Sequence, residues 1–319
     1  MDIEYLKRFL KNHNLRPNFT YGQNFLVDDI VLQDIVDAAE VSADDAVLEI
    51  GPGIGNLTRL LCDRAGFVLS VEKDPKFLPI LKAIKKDYPD NFWFEIADAL
   101  EYDFQGFFKN PSRPPLQQRG GGSADTSQNR GLPAEASAKA GAPLFSKEGV
   151  GGVNYKVVAN IPYFITGKIL QMLMSAKFKP TSITILTQKE VARNIVAGPG
   201  KLSVLAISVQ LLGEPKIVQT VLAKSFFPAP KVDSAIVKID LYKEPKYILA
   251  DEKKFFKIVK ACFAGKRKQI HNTLENNLGL EKEKVLKILN QLKIKPAARP
   301  QELSIEKWIG LTDLITASS

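Results

Sequence analysis

The sequence predicts an α/β protein: a doubly wound, mostly parallel sheet covered by helices on both faces, followed by a small all-α domain. Three observations predict it. Short apolar runs of strand length alternate with segments of helical spacing from residue 28 to residue 241. A glycine-rich turn, VLEIGPGIGNLT at residues 47–58, leads from the first apolar run into a helix. From Asp251 onward the pattern is helical only, and basic. The 319 residues are 45% hydrophobic and 25% charged, as in an average globular chain, and as a prior amount to about two domains. Wholly disordered, collagen-like and disulfide-scaffold proteins are excluded.

The first segment, MDIEYLKRFLKNHN, alternates charged with apolar residues. It has neither the apolar stretch nor the cleavage site of a secretory leader. No apolar run approaches the ~18–20 residues that span a bilayer. A cytoplasmic protein without membrane attachment is expected. Helical spacing of Ile30, Val31, Ile35 and Val36 predicts a helix over residues 28–40. Strand 46–50, a helix around 57–61, strand 67–71, helix 75–86 and strand 92–96 follow. After a break come strand 156–159, helix 167–175, strand 182–187, and helices over 189–197 and 202–212. Strands 216–221 and 235–241 flank a proline-rich loop and predict a late antiparallel pair. The closing helical stretch ends with residues 305–315. The expected domains are 1–245 and 246–319, with the boundary in KEPKYILA.

The break covers residues 110–152, which hold 8 of the 21 glycines and 5 of the 19 prolines and show no apolar periodicity. Such a stretch cannot bury enough surface to offset its ordering entropy, and a disordered insertion is expected. The net charge is +9, and the 16 Lys/Arg against 9 Asp/Glu after residue 242 place most of it in the last quarter. A basic end on a near-neutral body suits a polyanionic partner. Only two cysteines, Cys62 and Cys262, and two histidines, His13 and His271, are present, in unrelated contexts. Zinc sites and Cys–His nucleophile pairs are therefore not expected, and no metal is assigned.

The chemistry-bearing residues fall at the predicted strand ends. Gly51 and Gly53 permit close backbone approach, Gly55 starts the helix, and helix N-termini offer unpaired N–H groups. A dinucleotide fingerprint would need a third glycine at position 56, which is Asn56. With Glu49 before the first glycine, the turn is similar to motif I of S-adenosylmethionine-dependent methyltransferases. Glu72, ending the second strand, can bridge ribose hydroxyls, and Asp98, after the third, can accept from an adenine amino group. The fourth strand reads VVANIPYFIT, with Asn160, Ile161, Pro162 and Tyr163. The N6 lone pair of adenine is delocalised into its ring and is a poor nucleophile. The Asn160 amide oxygen and the Ile161 carbonyl can accept both amino hydrogens and aim that lone pair, while Tyr163 offers a face for a flipped base.

On these motifs the chain resembles the ribosomal RNA adenine dimethyltransferases, specifically the enzymes that dimethylate two adjacent adenines near the 3′ end of small-subunit rRNA. The likeness covers essentially all but residues 110–152. It includes YGQNFLVDDIV, where Gln23, Asn24, Phe25 and Leu26 match a segment that closes over the cofactor. It also takes in TQKEVARNIVAGPG, SFFPAPKVDSAIV and GKRKQIHNTL. The resemblance implies a Rossmann-like methyltransferase sheet, S-adenosylmethionine as cofactor, and Gly51, Gly53, Glu72, Asp98 and Asn160 as its contacts. It implies Phe226 beside the target base, the immature small ribosomal subunit as partner, and a monomer acting in the cytoplasm. Alternatives are the large-subunit adenine methyltransferase of macrolide resistance and a non-catalytic ribosome-assembly factor of the same fold. KVDSAIV, GKRKQIHNTL and the helical tail favour the first reading. Two departures stand out: the insertion, and Gly200 followed at once by Lys201, Leu202 and Ser203, where the family carries several more residues.

Loop-closure cost grows only logarithmically with length, so residues 110–152 should be replaceable. A chain carrying a short Gly-Ser linker in their place is expected to keep the melting temperature and the turnover of the full chain. A large loss of either would show that the segment contributes to the fold or the site.

Overall fold

The computed structural model describes residues 3–18, 22–109, 154–265 and 267–317. The insertion at 110–152 lies outside the described residues, as does Lys266. The chain opens with α1 (Ile3–Asn12), β1 (Phe25–Leu26) and α2 (Asp29–Ala38). The sheet follows as β2 (Ala46–Ile50), α3 (Asn56–Arg64), β3 (Phe67–Glu72), α4 (Leu78–Asp87), β4 (Phe92–Ile96), α5 (Phe104–Lys109), β5 (Tyr155–Asn160), α6 (Thr166–Ser175) and β6 (Ser182–Gln188). Then come α7 (Lys189–Ile195), α8 (Val204–Gln210), β7 (Gly213–Val221), β8 (Phe226–Phe227) and β9 (Ser234–Leu241). Four helices close the chain: α9 (Glu252–Ala264), α10 (Ile270–Leu278), α11 (Lys282–Gln291) and α12 (Ile305–Ala317).

Seven strands form one sheet in the order β4-β3-β2-β5-β6-β9-β7. The first five run parallel, and β9 and β7 close the far edge antiparallel. Both faces are covered. Val47, Val68, Val158 and Ile236 face a core shared with α2, α3 and α4. Their neighbours Leu48, Leu69, Val157 and Val237 face a second core with α5, α6 and α7. That two-sided burial is why β2 and β3 read as unbroken apolar runs rather than alternating ones. The doubly wound sheet and the late antiparallel pair match the sequence expectation.

A third core joins α9–α12 through Phe255, Val259, Leu274, Leu289 and Trp308. Leu202, Ala206, Ile207 and Leu211, on and beside α8, pack into it as well. The Gln301 carbonyl accepts two N–H groups from the short turn, Gly200 at 2.8 Å and Leu202 at 3.3 Å. The shortened turn thus lies directly against the C-terminal helical region.

Three local features depart from the sequence reading. α1 buries Leu6 and Leu10 at i, i+4 spacing, a helix signal in a stretch read only for leader character. In α2 the buried stripe is Val31, Leu32, Ile35 and Val36, while Ile30 is exposed. β1 and β8 form a two-stranded antiparallel ribbon outside the main sheet, pairing Phe25 with Phe227 and Leu26 with Phe226. Among the described residues no helix is long and apolar enough to cross a membrane.

Candidate active site

Strand register assembles the site. Ile50 pairs with Val71 on one side and with Ala159 on the other, and Glu72 pairs with Ile96. The glycine turn, Glu72, Asp98 and Asn160 therefore emerge together at the carboxyl edge of the sheet. This is where open α/β sheets bind ligands. They line one cavity, with Gln23, Asn24, Leu26, Ile54, Leu100, Ile161 and Pro162.

The turn from β2 into α3 is built for close approach. Gly53 has φ +54°, a left-handed conformation that favours glycine. At Gly55 (φ +80°) an added Cβ would lie 2.2 Å from Ile84 Cδ1 of α4. Any side chain there would have to push the buried end of Ile84 aside. The turn is held from below by Glu72. One carboxylate oxygen accepts from the Gly53 N–H at 3.0 Å, the other from the Asp74 N–H at 2.8 Å. Burial pushes the Glu72 carboxyl above the usual carboxylate range, and these N–H groups pull it back toward the charged form. Asp98 behaves oppositely. Its hydrogen bond to Lys73 Nζ at 2.7 Å and that to the Leu100 N–H hold its carboxyl below the usual range.

The N-terminal segment lies across this edge. Val27 donates to the Ser225 carbonyl at 3.0 Å, and the Ser225 hydroxyl donates to Asp28, whose carboxylate also caps α2. Asn56, at the start of α3, donates to the Leu26 carbonyl at 3.4 Å. Gln23 donates to Asp74 at 3.3 Å, on the same loop that Glu72 anchors. Gln23, Asn24 and Leu26 are thus placed at the cavity.

Two expected site residues stand apart. Phe226 does not reach the cavity wall. Its pairing with Leu26 turns it into the core below α2 and α3, where it is 2% exposed. Phe227 takes the opposite face of the ribbon and sits half-buried beneath the Lys7 ammonium. The backbone of Tyr163 opens a single 3-10 turn, Tyr163–Ile165, but its side chain lies outside the described residues. Sequence reading missed Lys73 as the partner of Asp98, and Ile54 and Leu100 as apolar walls. A lysine beyond a strand end and apolar residues in turns carry no periodic signal. Among the described residues no group of three or more His, Cys, Asp or Glu could hold a metal ion, and Cys62 and Cys262 are buried and free.

The donor set fits a cationic adenosyl cofactor. Glu72 keeps lone pairs for vicinal hydroxyls beyond its two backbone bonds. Asp98 can accept from an exocyclic amine, and Ile54 and Leu100 give the cavity apolar walls that would suit a flat ring. The space above Gly51 is open: an added Cβ would meet only the Asn160 carbonyl oxygen, at 3.8 Å.

Comparison with known proteins gives a consistent result. A family model described as ribosomal RNA adenine dimethylase matches residues 14–316. A Dehalococcoides mccartyi (strain CBDB1) protein named ribosomal RNA small subunit methyltransferase A is 36% identical over 302 residues, 95% of this chain and 89% of its own. The protein of that name from Clostridium botulinum (strain Langeland) is 35% identical over 311 residues, covering 97% of this chain and 98% of its own. Among solved structures, the 23S rRNA methyltransferase ErmE superposes with a TM-score of 0.63 at 27% identity, covering 92% of this chain and all of that one. A dimethyladenosine transferase from Plasmodium falciparum reaches 0.65 at 23% identity, over 90% and 95% of the two chains, a likeness of fold.

Glu49 lies beneath the glycine turn, buried, accepting from the Ser70 hydroxyl at 2.5 Å, with its other oxygen unbonded. Burial pushes its carboxyl up to about 7, the neighbouring Glu72 adds to the rise, and the Ser70 and Thr58 hydroxyls oppose it. Between the unfolded value of 4.5 and about 7 the native state therefore holds a proton that the unfolded state has lost. Stability falls as pH rises through that window. Glu49→Gln is expected to flatten this dependence and to stabilise the protein at pH 8 by roughly 3 kcal/mol relative to wild type. Denaturant melts at pH 5 and pH 8 check it; an unchanged slope would mean that Glu49 is charged throughout.

Proposed function

The chain belongs to the ribosomal RNA adenine dimethylase family, and from that premise we propose that it transfers methyl groups from S-adenosylmethionine to N6 of two adjacent adenosines near the 3′ end of small-subunit rRNA, giving N6,N6-dimethyladenosine. The observation that carries this reading is the position of Asn160-Ile161-Pro162. They leave β5 into the same cavity that holds the glycine turn and Glu72. When bound, the cofactor supplies an electrophilic methyl group on a sulfonium. Glu72 would hold its ribose, Asp98 its adenine amine, and Gly51 and Gly53 its approach to the backbone. Gln23, Asn24 and Leu26 would cover it from the N-terminal side.

The Asn160 amide oxygen and the Ile161 carbonyl would accept the two hydrogens of the target amine. Both bonds draw the nitrogen lone pair out of conjugation and fix its direction, so the gain is one of orientation and electrostatics. No strong base is needed, because the alkylated amine becomes acidic and sheds its surplus proton to water. After the first transfer one amino hydrogen remains, so a single acceptor suffices to orient the second.

The partner is rRNA, within the immature small subunit. We assign residues 246–319 as the RNA-binding lobe of a monomeric, cytoplasmic enzyme. Lys253, Lys257, Lys260, Arg267 and Lys268 are exposed there, which suits phosphate contact. The likeness to a 23S rRNA methyltransferase keeps large-subunit rRNA as the competing substrate. The test is methyl incorporation into small and large subunits lacking dimethyladenosine, followed by nucleoside mass spectrometry. Dimethyladenosine in small-subunit rRNA supports the reading; incorporation into large-subunit rRNA alone refutes it.

Asn160→Ala is expected to retain cofactor binding by calorimetry and to lose at least ~100-fold in methyl transfer, in line with removal of an orienting hydrogen-bond group from a reacting centre. Near-normal turnover would remove Asn160 from the amine-orienting role.

A further inference from the structure

Phe164 is the one exposed phenylalanine among the described side chains, at 66% of its surface. It belongs to none of the three hydrophobic cores. A lone exposed apolar side chain is ordinary on a protein surface, so it is the placement of this ring that matters. It stands two residues after Pro162, at the mouth of the cavity that holds Asn160.

The ring sits on a closed turn with one close neighbour. The following turn is closed by the Ile165 N–H bonding to the Pro162 carbonyl at 3.1 Å. One side of the ring packs on the backbone of Gly22, where an added Cβ would lie 3.1 Å from Phe164 Cε1 and 3.4 Å from Pro162. Gly22 has φ +61°, so that close seat is reserved for a residue without a side chain. The rest of the ring faces solvent. Lys168 is exposed in the first turn of α6, four residues further along the chain.

An exposed aromatic ring at the edge of a binding cleft is how proteins hold an unpaired nucleobase without reading its sequence. We propose that Phe164 is a stacking platform for the nucleobase next to the target adenine in the rRNA strand. This subsite rests on the proposed function, since its ligand is the RNA strand that enters the catalytic cavity. It would hold the strand in register while one adenine occupies the cavity. A two-adenine substrate needs such a seat for the base that waits.

The test compares Phe164→Ala, Phe164→Leu and Phe164→Trp with wild type. Binding to small ribosomal subunits lacking dimethyladenosine is measured by sedimentation, and S-adenosylmethionine affinity by calorimetry. Alanine and leucine are each expected to weaken subunit binding about ten-fold, the scale of one base–aromatic stack, while tryptophan restores it. Cofactor affinity is expected to stay unchanged in all three. If leucine binds as well as phenylalanine, the ring contributes apolar packing only and the proposal falls. It falls equally if cofactor affinity drops in step with subunit binding, since Phe164 would then cover the cofactor. Binding is read without turnover, so a wild-type protein that binds subunits but transfers no methyl group counts against the proposed function alone.

Discussion

The buried carboxylate of Glu72 is the constraint on which the site depends. It ends β3 with almost no exposure, yet it meets both the glycine turn after β2 and the loop after β3 through backbone N–H groups. A buried carboxylate is costly unless hydrogen-bonded, and here the bonds come from main chain that must be held still. The same contact solves two problems. It satisfies the acid, and it freezes a turn whose positive φ angles would otherwise leave it loose. Lone pairs on Glu72 stay available to ligand hydroxyls on a scaffold that is already rigid. Asp74, fixed by the same carboxylate, in turn receives Gln23 and links the N-terminal segment to this anchor.

Around this anchor the fold distributes roles by strand. Parallel register fixes which residues share the carboxyl edge, so Asp98 and Asn160 need no contact with each other to converge. The β1–β8 ribbon then ties the segment after residue 22 to the loop before β9. This brings together two stretches about 200 residues apart in sequence. The third core extends from α8 into α9–α12, and the Gln301 carbonyl clasps the turn at Gly200 and Leu202. The basic helical region is thereby packed on a helix that lies between strands β6 and β7 of the catalytic sheet.

Much of this was legible in the sequence because the sheet is buried on both faces. Such strands leave short apolar runs, and the glycine turn leaves a fixed spacing, so the order of elements and the positions of Glu72, Asp98 and Asn160 could be read directly. What escaped has physical reasons. β1 and β8 are two residues each and carry no periodicity; only tertiary pairing defines them. Phe226 was expected at the base, but ribbon pairing with β1 carries it into the core, where Phe227 packs half-buried against the same cluster. Ile30 fits a helical stripe on paper, yet it sits one position before the stripe that α2 buries. The exposure of Phe164 is invisible to sequence, since an aromatic after Asn-Ile-Pro-Tyr reads equally well as core.

The measurement that bears most directly on this account is the S-adenosylmethionine affinity of Glu72→Ala, taken by calorimetry with circular dichroism as a check of fold. Loss of a hydrogen-bonding charged group that also anchors the turn should weaken binding by roughly 1–3 kcal/mol, about 5- to 150-fold, in a chain that is still folded. A folded Glu72→Ala protein that binds the cofactor as tightly as wild type would contradict the account, and the ribose would have to be held elsewhere.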